Sequence, residues 1–173
     1  MRTLILGGAR SGKSALAERL AAESGCEVVF IATAEARDQE MAARIATHRA
    51  RRPAAWRCVE EPLRLAAALH RCARADRCLL VDCLTLWLSN LLGDVDPHAF
   101  QRERSAILEL LPNLPGDVVM VSNEVGMGIV PLGELTRRFV DESGWLHQAI
   151  AAKCDRVIFV VAGLPLLLKG TLS

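Results

Sequence analysis

The sequence predicts an α/β fold, a three-layer domain in which helices flank an open, mostly parallel central sheet. Strand-like and helix-like segments alternate along the 173 residues. The strand-like segments are near-continuous apolar runs, the pattern of strands that are buried on both faces. No repeat, low-complexity segment or linker divides the sequence, so we expect residues 1–173 to form a single domain.

The first half of the chain supplies two of the predicted strands. TLILGG begins a short strand at residue 3, and residues 13–24 form a helix with Leu16, Ala17 and Leu20 at helical spacing. The run EVVFIATA, residues 27–34, is the second strand. We then expect a helix that is capped by Asp38 and runs toward residue 50. A proline-containing connection at residues 51–62 follows it, and then an alanine- and leucine-rich helix at residues 63–74.

The second half repeats the alternation. RCLLVD is the third predicted strand, DVVMVSNEVG the fourth and RVIFVVAG the last, at residues 77–82, 117–126 and 156–163. The intervening segments have the length and spacing of helices, at residues 84–92, 99–111 and 135–152. Every strand except the last is therefore followed by a helical segment, as a parallel sheet requires.

Composition excludes several classes of protein. A formal net charge of +1 gives no electrostatic case for general nucleic-acid binding, and no apolar run approaches the length of a membrane span. The amino-terminal residues do not have the pattern of a signal peptide. The six cysteines form no C-x-x-C pair or zinc-like spacing, so we expect free thiols and a cytoplasmic protein.

The stretch GGARSGKS fits the phosphate-loop pattern G-x-x-x-x-G-K-[ST] and stands between a predicted strand and a predicted helix. Backbone N–H groups of such a loop surround phosphate oxygens at the positive end of the helix dipole. The lysine supplies a charge for the β- and γ-phosphates, and the serine after it a hydroxyl for Mg²⁺. The predicted phosphate-binding residues are Gly7, Gly8, Ala9, Arg10, Ser11, Gly12, Lys13 and Ser14.

A phosphate loop needs a second magnesium contact, usually an aspartate that ends a neighbouring apolar strand. Asp82, directly after CLLV, is the best candidate, although it could also cap the helix that follows. Asp117 and Asp155 precede their strands, which places them at the wrong edge of a parallel sheet for a ligand.

The stretch RIATHRARRPAAW places His48 among arginines, and two interpretations of it stay open. Its spacing alone favours a basic helix end that complements the helix dipole. In the other interpretation, His48 is a nucleophile that attacks a nucleotide phosphorus while the arginines after it hold phosphates and keep the imidazole neutral. Glu60 and Glu61 could then orient a ribose, a guanine or the imidazole. We expect His70, His98 and His147 to be surface or structural histidines.

Six ordered blocks make the chain resemble the bifunctional adenosylcobinamide kinase/adenosylcobinamide-phosphate guanylyltransferase family of adenosylcobalamin biosynthesis. The blocks are GGARSGKS, IATAEA, RIATHRARRPAAW with VEEP, VDCLTLWLSN, VSNEVGMGIVP and AGLPLLLKG. The resemblance implies a P-loop NTPase-like fold and two reactions. ATP or GTP phosphorylates the hydroxyl of adenosylcobinamide, and GTP then guanylylates a histidine that passes GMP on to give adenosylcobinamide-GDP.

Carried over by position, the resemblance makes His48 the nucleophile and Lys13 a catalytic residue. The implied nucleotide contacts, beyond the phosphate loop, are Ala32, Thr33, Arg49, Ala50, Arg51, Arg52, Glu60 and Asp82, with Mg²⁺ held by Ser14 and Asp82. The implied cofactors are GTP, ATP and Mg²⁺, the substrates are the two cobinamides, and the assembly is a homotrimer. One departure is visible, because the family pattern has an Asn-Gln pair where this chain has His147 and Gln148.

Two other functions fit the residues alone. The first is a single-function P-loop small-molecule kinase in which the arginines form a lid and His48 is structural. The second is a nucleotide-binding regulatory module that uses GTP as a switch. The fold hosts all three functions, so it does not decide among them.

Overall fold

The computed structural model of the protein describes residues 1–35, 39, 43, 46 and 53–171. Strands of this part form one seven-stranded sheet in the order β3-β2-β4-β5-β1-β6-β7. The first six strands run parallel to one another, and β7 is antiparallel to β6. The strands are β1 (Arg2–Gly7), β2 (Glu27–Ala32), β3 (Arg57–Glu60), β4 (Arg77–Asp82), β5 (Asp117–Asn123), β6 (Arg156–Val161) and β7 (Leu164–Lys169).

Helices occupy most of the predicted segments between these strands. They are α1 (Lys13–Glu23), α2 (Leu65–Cys72), α3 (Leu84–Leu92), α4 (Ala99–Leu110) and α5 (Glu134–Lys153), with a 3-10 turn at Leu111–Asn113. The helix predicted from Asp38 toward residue 50 falls mostly on residues outside the described ones. Among the described residues, no helix is both long enough and apolar enough to cross a membrane.

The central strands are buried on both faces, as their continuous apolar runs predict. Successive residues of a strand point to opposite faces of the sheet. Leu4 and Leu79 therefore join a core with Trp87 of α3 on one face, while Ile5 and Leu80 join a second core on the other face. That second core includes Leu16 and Ala17 of α1, two of the residues whose spacing predicts this helix. The predicted α/β fold with a mostly parallel sheet is confirmed.

Two strands lie where the sequence predicts none, and both are short edge strands. β3 lies inside the predicted connection 51–62, and the prediction that the last strand is the one at residues 156–163 is wrong. β3 has four residues with exposed ends, and β7 contains Pro165, a residue that is tolerated only at a sheet edge. Neither has the continuous apolar burial that makes a central strand recognisable.

The parallel arrangement brings the carboxyl ends of the strands to one edge of the sheet. In the register of the sheet, Gly7 pairs with Asn123, and Ala32 pairs with both Glu60 and Asp82. The first residue of α1 follows the loop after β1, so the phosphate-loop pattern lies at this carboxyl edge.

At the opposite, amino edge, Asp117 contacts the amino terminus and Asp155 accepts the Arg2 backbone N–H at 2.6 Å. The prediction that these two aspartates lie at the wrong edge for a ligand is confirmed.

Candidate functional site

The loop between β1 and α1 has the backbone geometry of a phosphate cradle. Arg10 and Gly12 both have positive φ, 56° and 96°, so the chain reverses before α1 begins. Gly7 has no room for a side chain, because a Cβ there would lie 2.6 Å from both Ser11 Oγ and the Val160 carbonyl oxygen. The N–H groups of the first turn of α1 have no partner within the helix, and they point toward the loop.

Lys13 and Ser11 are the buried polar residues of this loop. Lys13 is 8% exposed, and its ammonium group donates to the Gly8 carbonyl oxygen at 3.2 Å. Ser11 Oγ is buried and has no hydrogen-bond partner among the described residues. The Ser11 carbonyl oxygen accepts the Gly163 N–H at 2.8 Å, which ties the loop to the β6–β7 turn. The loop therefore holds a buried cation and a buried hydroxyl beside an anion-binding helix terminus.

The end of β4 is fixed by a buried hydrogen-bond network around Thr33. The Thr33 hydroxyl donates to the Cys83 carbonyl oxygen at 2.7 Å and accepts from the Cys83 N–H at 2.8 Å. Asn90 donates to the Thr33 carbonyl oxygen at 2.8 Å, and the Thr33 N–H donates to the Asp82 carbonyl oxygen at 3.2 Å. Thr33 is fully buried, so its hydroxyl holds the chain next to Asp82.

Asp82 is the last residue of β4, where the sequence predicts a magnesium ligand. Cys83, not Asp82, is the N-cap residue of α3, and no side-chain hydrogen bond caps this helix. The capping role considered for Asp82 is therefore not what the structure shows. The carboxylate of Asp82 and the hydroxyl of Ser14 in the first turn of α1 are oxygen donors, the ligand type that Mg²⁺ prefers.

The remaining predicted site residues divide into two groups. Ala32 and Glu60 end β2 and β3, so both lie at the carboxyl edge. One carboxylate oxygen of Glu61 accepts hydrogen bonds from the N–H groups of Leu63 and Arg64, so this oxygen is already engaged at the start of α2. The other group lies outside the described residues: His48, Arg49, Ala50, Arg51 and Arg52.

A second polar cluster at this edge, Ser122, Glu124 and His147, was not predicted as functional. His147 Nε2 lies 2.7 Å from Ser122 Oγ, and Nδ1 lies 3.7 Å from Glu124 Oε2. The Glu124 N–H donates to the Gly7 carbonyl oxygen at 3.0 Å, so Glu124 is anchored to the start of the phosphate loop. The available signal was the position of Glu124, a carboxylate directly after a buried strand.

His147 is a buried histidine whose surroundings favour the neutral imidazole. Burial lowers the pKa of its imidazole below the ordinary value, and the nearby charge of Glu124 opposes this only in part. Nδ1 is buried without a hydrogen-bond partner among the described residues. His70 and His98 are exposed, so the expectation of a surface or structural histidine holds for them. His147 is buried, and of its two ring nitrogens only Nε2 has a hydrogen-bond partner among the described residues.

Comparison with known proteins gives a consistent result. A protein-family model described as CobU, Cobinamide kinase / cobinamide phosphate guanyltransferase, matches residues 3–168. The bifunctional adenosylcobalamin biosynthesis protein CobP of Pseudomonas aeruginosa is 69% identical over 170 residues, which cover 98% of each chain. The bifunctional adenosylcobalamin biosynthesis protein CobU of Escherichia coli is 40% identical, with 98% of this chain and all of that protein covered.

Solved structures of lower sequence similarity share the fold. The flagellar accessory protein FlaH from Methanocaldococcus jannaschii matches with a TM-score of 0.51 and 15% identity, covering 99% of this chain and 79% of that one. The RadB recombinase matches with a TM-score of 0.51 and 16% identity, covering 91% of this chain and 73% of that one. At such low identity these matches show the fold alone, that of the P-loop NTPases.

Proposed function

The chain belongs to the family of bifunctional cobinamide kinases and cobinamide phosphate guanylyltransferases of adenosylcobalamin biosynthesis, and on that premise we propose how its residues carry the two reactions. The enzyme phosphorylates cobinamide and then guanylylates the product. We assign both reactions to one domain, residues 1–173, with the nucleotide phosphates held at the carboxyl edge of the sheet.

In the kinase reaction, the phosphate loop holds the triphosphate of ATP or GTP. Lys13 moves from the Gly8 carbonyl oxygen to the β- and γ-phosphates, where its charge stabilises the transferring phosphoryl group. Residues 7–12 and the first turn of α1 contribute backbone N–H groups. Ser14 and Asp82 would hold Mg²⁺, which would supply positive charge to the nucleotide phosphates. Thr33 acts through its hydrogen bonds to Cys83, which position Asp82.

In the guanylylation reaction, we assign the nucleophile to His48. Its neutral imidazole attacks the α-phosphorus of GTP, a P–N bond forms, and the bond to pyrophosphate breaks. A phosphate oxygen of cobinamide phosphate then attacks the same phosphorus and releases the histidine. The segment Arg49, Ala50, Arg51 and Arg52 contributes cations for the phosphates, and Ala32 and Glu60 contribute contacts at the ends of β2 and β3.

The observation that carries this proposal is the extent of the family match. The matched residues, 3–168, include both the phosphate loop and the segment that contains His48. The loop geometry around Gly7 and Lys13 supports phosphate binding independently of any relative. The role of His48 rests on the resemblance and on the chemistry of a histidine among arginines.

The experiment is covalent labelling with α-labelled GTP. The chain is incubated with the nucleotide, denatured, and tested for acid-labile, base-stable label. We expect the wild type to carry label, the His48→Ala variant to carry none while it still phosphorylates cobinamide, and the Lys13→Ala variant to lose both activities. His70→Ala is the matched control, because His70 is exposed on α2, and it should label like the wild type.

Absence of label on the wild-type chain would contradict the histidine intermediate. A wild type that phosphorylates cobinamide without ever carrying label would favour the single-function kinase. Full labelling of His48→Ala would place the nucleophile elsewhere, and His147 would be tested next. Failure to turn over any cobinamide would favour the regulatory module.

We also propose that the chain assembles as a homotrimer in the cytoplasm. β7 is an edge strand, and its side chains Leu164, Leu166 and Leu168 are 72%, 58% and 57% exposed, an apolar strip that assembly would cover. The six free cysteines fit a reducing compartment. Sedimentation equilibrium should give a trimer mass for the wild type and a smaller mass for Leu166→Lys. An unchanged mass would show that β7 is not at the interface.

A further inference from the structure

The cluster of Ser122, His147 and Glu124 has a feature that the proposed roles above do not use. It joins β5 to α5 at the carboxyl edge, and its polar atoms form a chain from the Ser122 hydroxyl through the imidazole to the Glu124 carboxylate. Ser122 is fully buried, the His147 side chain is 7% exposed and the Glu124 side chain is 22% exposed. Of the three groups, the carboxylate is therefore the one that solvent and substrate can reach.

The sheet places this carboxylate beside the phosphate loop. β5 lies between β1 and β4 in the sheet, so the residue after β5 lies between the loop that contains Lys13 and the end of β4 at Asp82. The hydrogen bond from the Glu124 N–H to the Gly7 carbonyl oxygen fixes that position. A substrate hydroxyl that approaches a γ-phosphate held by the loop therefore comes close to Glu124.

The hydrogen-bond pattern leaves Glu124 only partly satisfied. Oε1 accepts the Gly126 N–H at 2.6 Å, whereas Oε2 faces His147 Nδ1 at 3.7 Å. When the Ser122 hydroxyl donates to Nε2, the single proton of the neutral imidazole is on Nδ1 and points toward that carboxylate. A buried N–H without a partner is unfavourable, so a movement of about 1 Å that closes this hydrogen bond is favoured.

The two reactions differ in their need for a base. The attacking imidazole is neutral and the attacking cobinamide phosphate is an anion, so neither has to lose a proton before it reacts. The cobinamide hydroxyl is different, because it must lose its proton as the new P–O bond forms. A general base can therefore speed the kinase reaction, whereas neither step of guanylylation needs one.

We propose that Glu124 is the general base of the kinase reaction and that His147 is the positioning residue that orients its carboxylate. The hydroxyl oxygen of cobinamide attacks the γ-phosphorus, and its proton passes to the Glu124 carboxylate. The bond from the γ-phosphorus to the β–γ bridging oxygen breaks, and the nucleoside diphosphate leaves. Glu124 then returns the proton to solvent. The assignment rests on the bifunctional activity of the family and does not depend on which residue carries GMP.

Other carboxylates at this edge are less suited to the role. Asp82 has the position of the magnesium ligand, and one Glu61 oxygen already accepts two N–H groups at the start of α2. Glu60 ends β3, which lies four strands from β1 in the sheet, or about 19 Å at the usual strand spacing. Glu124 follows a strand directly adjacent to β1.

The first test compares the two half-reactions of Glu124→Gln, a variant of nearly the same shape. We expect the kcat for cobinamide phosphorylation to fall about 100- to 10,000-fold, the range typical of a lost general base, with little change in the KM for nucleotide. Labelling of the chain by α-labelled GTP should stay at the wild-type level. Glu23→Gln, an exposed glutamate at the end of α1, is the control and should retain both activities.

Two results would overturn the assignment to Glu124. A kinase kcat within threefold of the wild type would show that Glu124 takes no proton. A parallel loss of phosphorylation and labelling would show that Glu124 acts in nucleotide binding or in folding. A lowered thermal unfolding temperature of the variant would indicate folding, and an unchanged one would indicate nucleotide binding. If the wild type itself carries no label, the histidine intermediate fails, and binding of a fluorescent GTP analogue then replaces labelling as the second readout for Glu124→Gln.

The second test separates positioning from packing at His147. His147→Asn keeps an N–H donor near the position of Nδ1, whereas His147→Leu fills the space without one. We expect the leucine variant to lose up to about 100-fold in kinase kcat, the scale of a carboxylate misplaced by 1 Å, with GTP labelling unchanged. The asparagine variant should recover most of this loss. Equal kinase kcat in the two variants would contradict the positioning role.

Discussion

The two edges of the same sheet differ in how their polar groups are satisfied. At the amino edge, the Arg2 guanidinium donates to three backbone carbonyl oxygens, those of Leu111, Leu114 and Gly116. The Arg77 side chain donates to Glu27 at 2.9 Å. At the carboxyl edge, Ser11 Oγ and His147 Nδ1 are buried without a hydrogen-bond partner among the described residues, and the two other such side-chain atoms, Arg104 Nε and Ser143 Oγ, lie on the helices α4 and α5.

This difference indicates which edge maintains the fold and which performs chemistry. Buried polar groups are nearly always hydrogen-bonded, and the exceptions need an explanation. The amino edge follows the rule and closes the sheet with contacts from within the chain. The carboxyl edge departs from it at the phosphate loop and beside Glu124, where a nucleotide and a substrate hydroxyl would bind. Changes at one edge should therefore affect catalysis, and changes at the other should affect stability.

Substitution of lysines at opposite edges is the strongest test of this difference. Lys13 is buried in the phosphate loop, whereas Lys153 is exposed at the end of α5, near the amino edge. We expect Lys13→Ala to lower cobinamide phosphorylation on the order of 100- to 1,000-fold, since a preorganised charge on the phosphates is lost. Steady-state kinetics measure the effect. Lys153→Ala should keep its activity, and equal losses in the two variants would remove the distinction between the edges.

A glycine at the amino edge should show the opposite behaviour. Gly116 has a φ of 72°, and a Cβ there would lie 2.2 Å from the Arg74 carbonyl oxygen. Gly116→Ala therefore combines backbone strain with overpacking, and we expect it to lower the free energy of unfolding by about 3 kcal/mol. Urea unfolding measures this loss, and the kcat of the fraction that remains folded should be unchanged. Gly25→Ala is the control, because its φ is also positive, at 71°, but its Cβ would meet nothing within 4 Å.

The central strands could be predicted because burial on both faces requires apolar residues at consecutive positions of the sequence. Leu4 and Ile5 point to opposite cores, and both are apolar, so the run itself indicates two covered faces. β3 and β7 could not be predicted in this way, since pairing with a neighbour, and not burial, makes them strands. The β6–β7 reversal depends on positive φ at Ala162 and Gly163, and only the glycine is a sequence signal for it.

The site follows the same division between local and non-local information. The phosphate loop is local, and its eight residues lie where the pattern predicts them. Thr33 is different, because its partner Cys83 is 50 positions away and only the fold reveals that its hydroxyl is already used. His147 is also non-local, since Ser122 and Glu124 come from another element. Its spacing on α5 therefore gives no indication of the carboxylate that it faces.

The smallest expected effect is the dependence of stability on pH that His147 contributes. Burial holds the pKa of its imidazole below the ordinary value of 6.5, and the Glu124 carboxylate is the facing charge that opposes this shift. The unfolded chain therefore binds more protons than the folded one as the pH falls through 6.5, so the stability present at higher pH is lost below it. The free energy of unfolding of the wild type should decrease between pH 7 and pH 5.

His147→Asn removes this titration, so its free energy of unfolding should depend less steeply on pH than that of the wild type, by at most about 1.4 kcal/mol per pH unit. Urea unfolding at several pH values measures both slopes. His98→Asn is the control, because His98 is exposed and its loss should leave the slope of the wild type unchanged. Equal slopes for the wild type and His147→Asn would show that burial of His147 does not couple folding to pH. The arrangement that orients Glu124 would then cause no loss of folding stability at low pH.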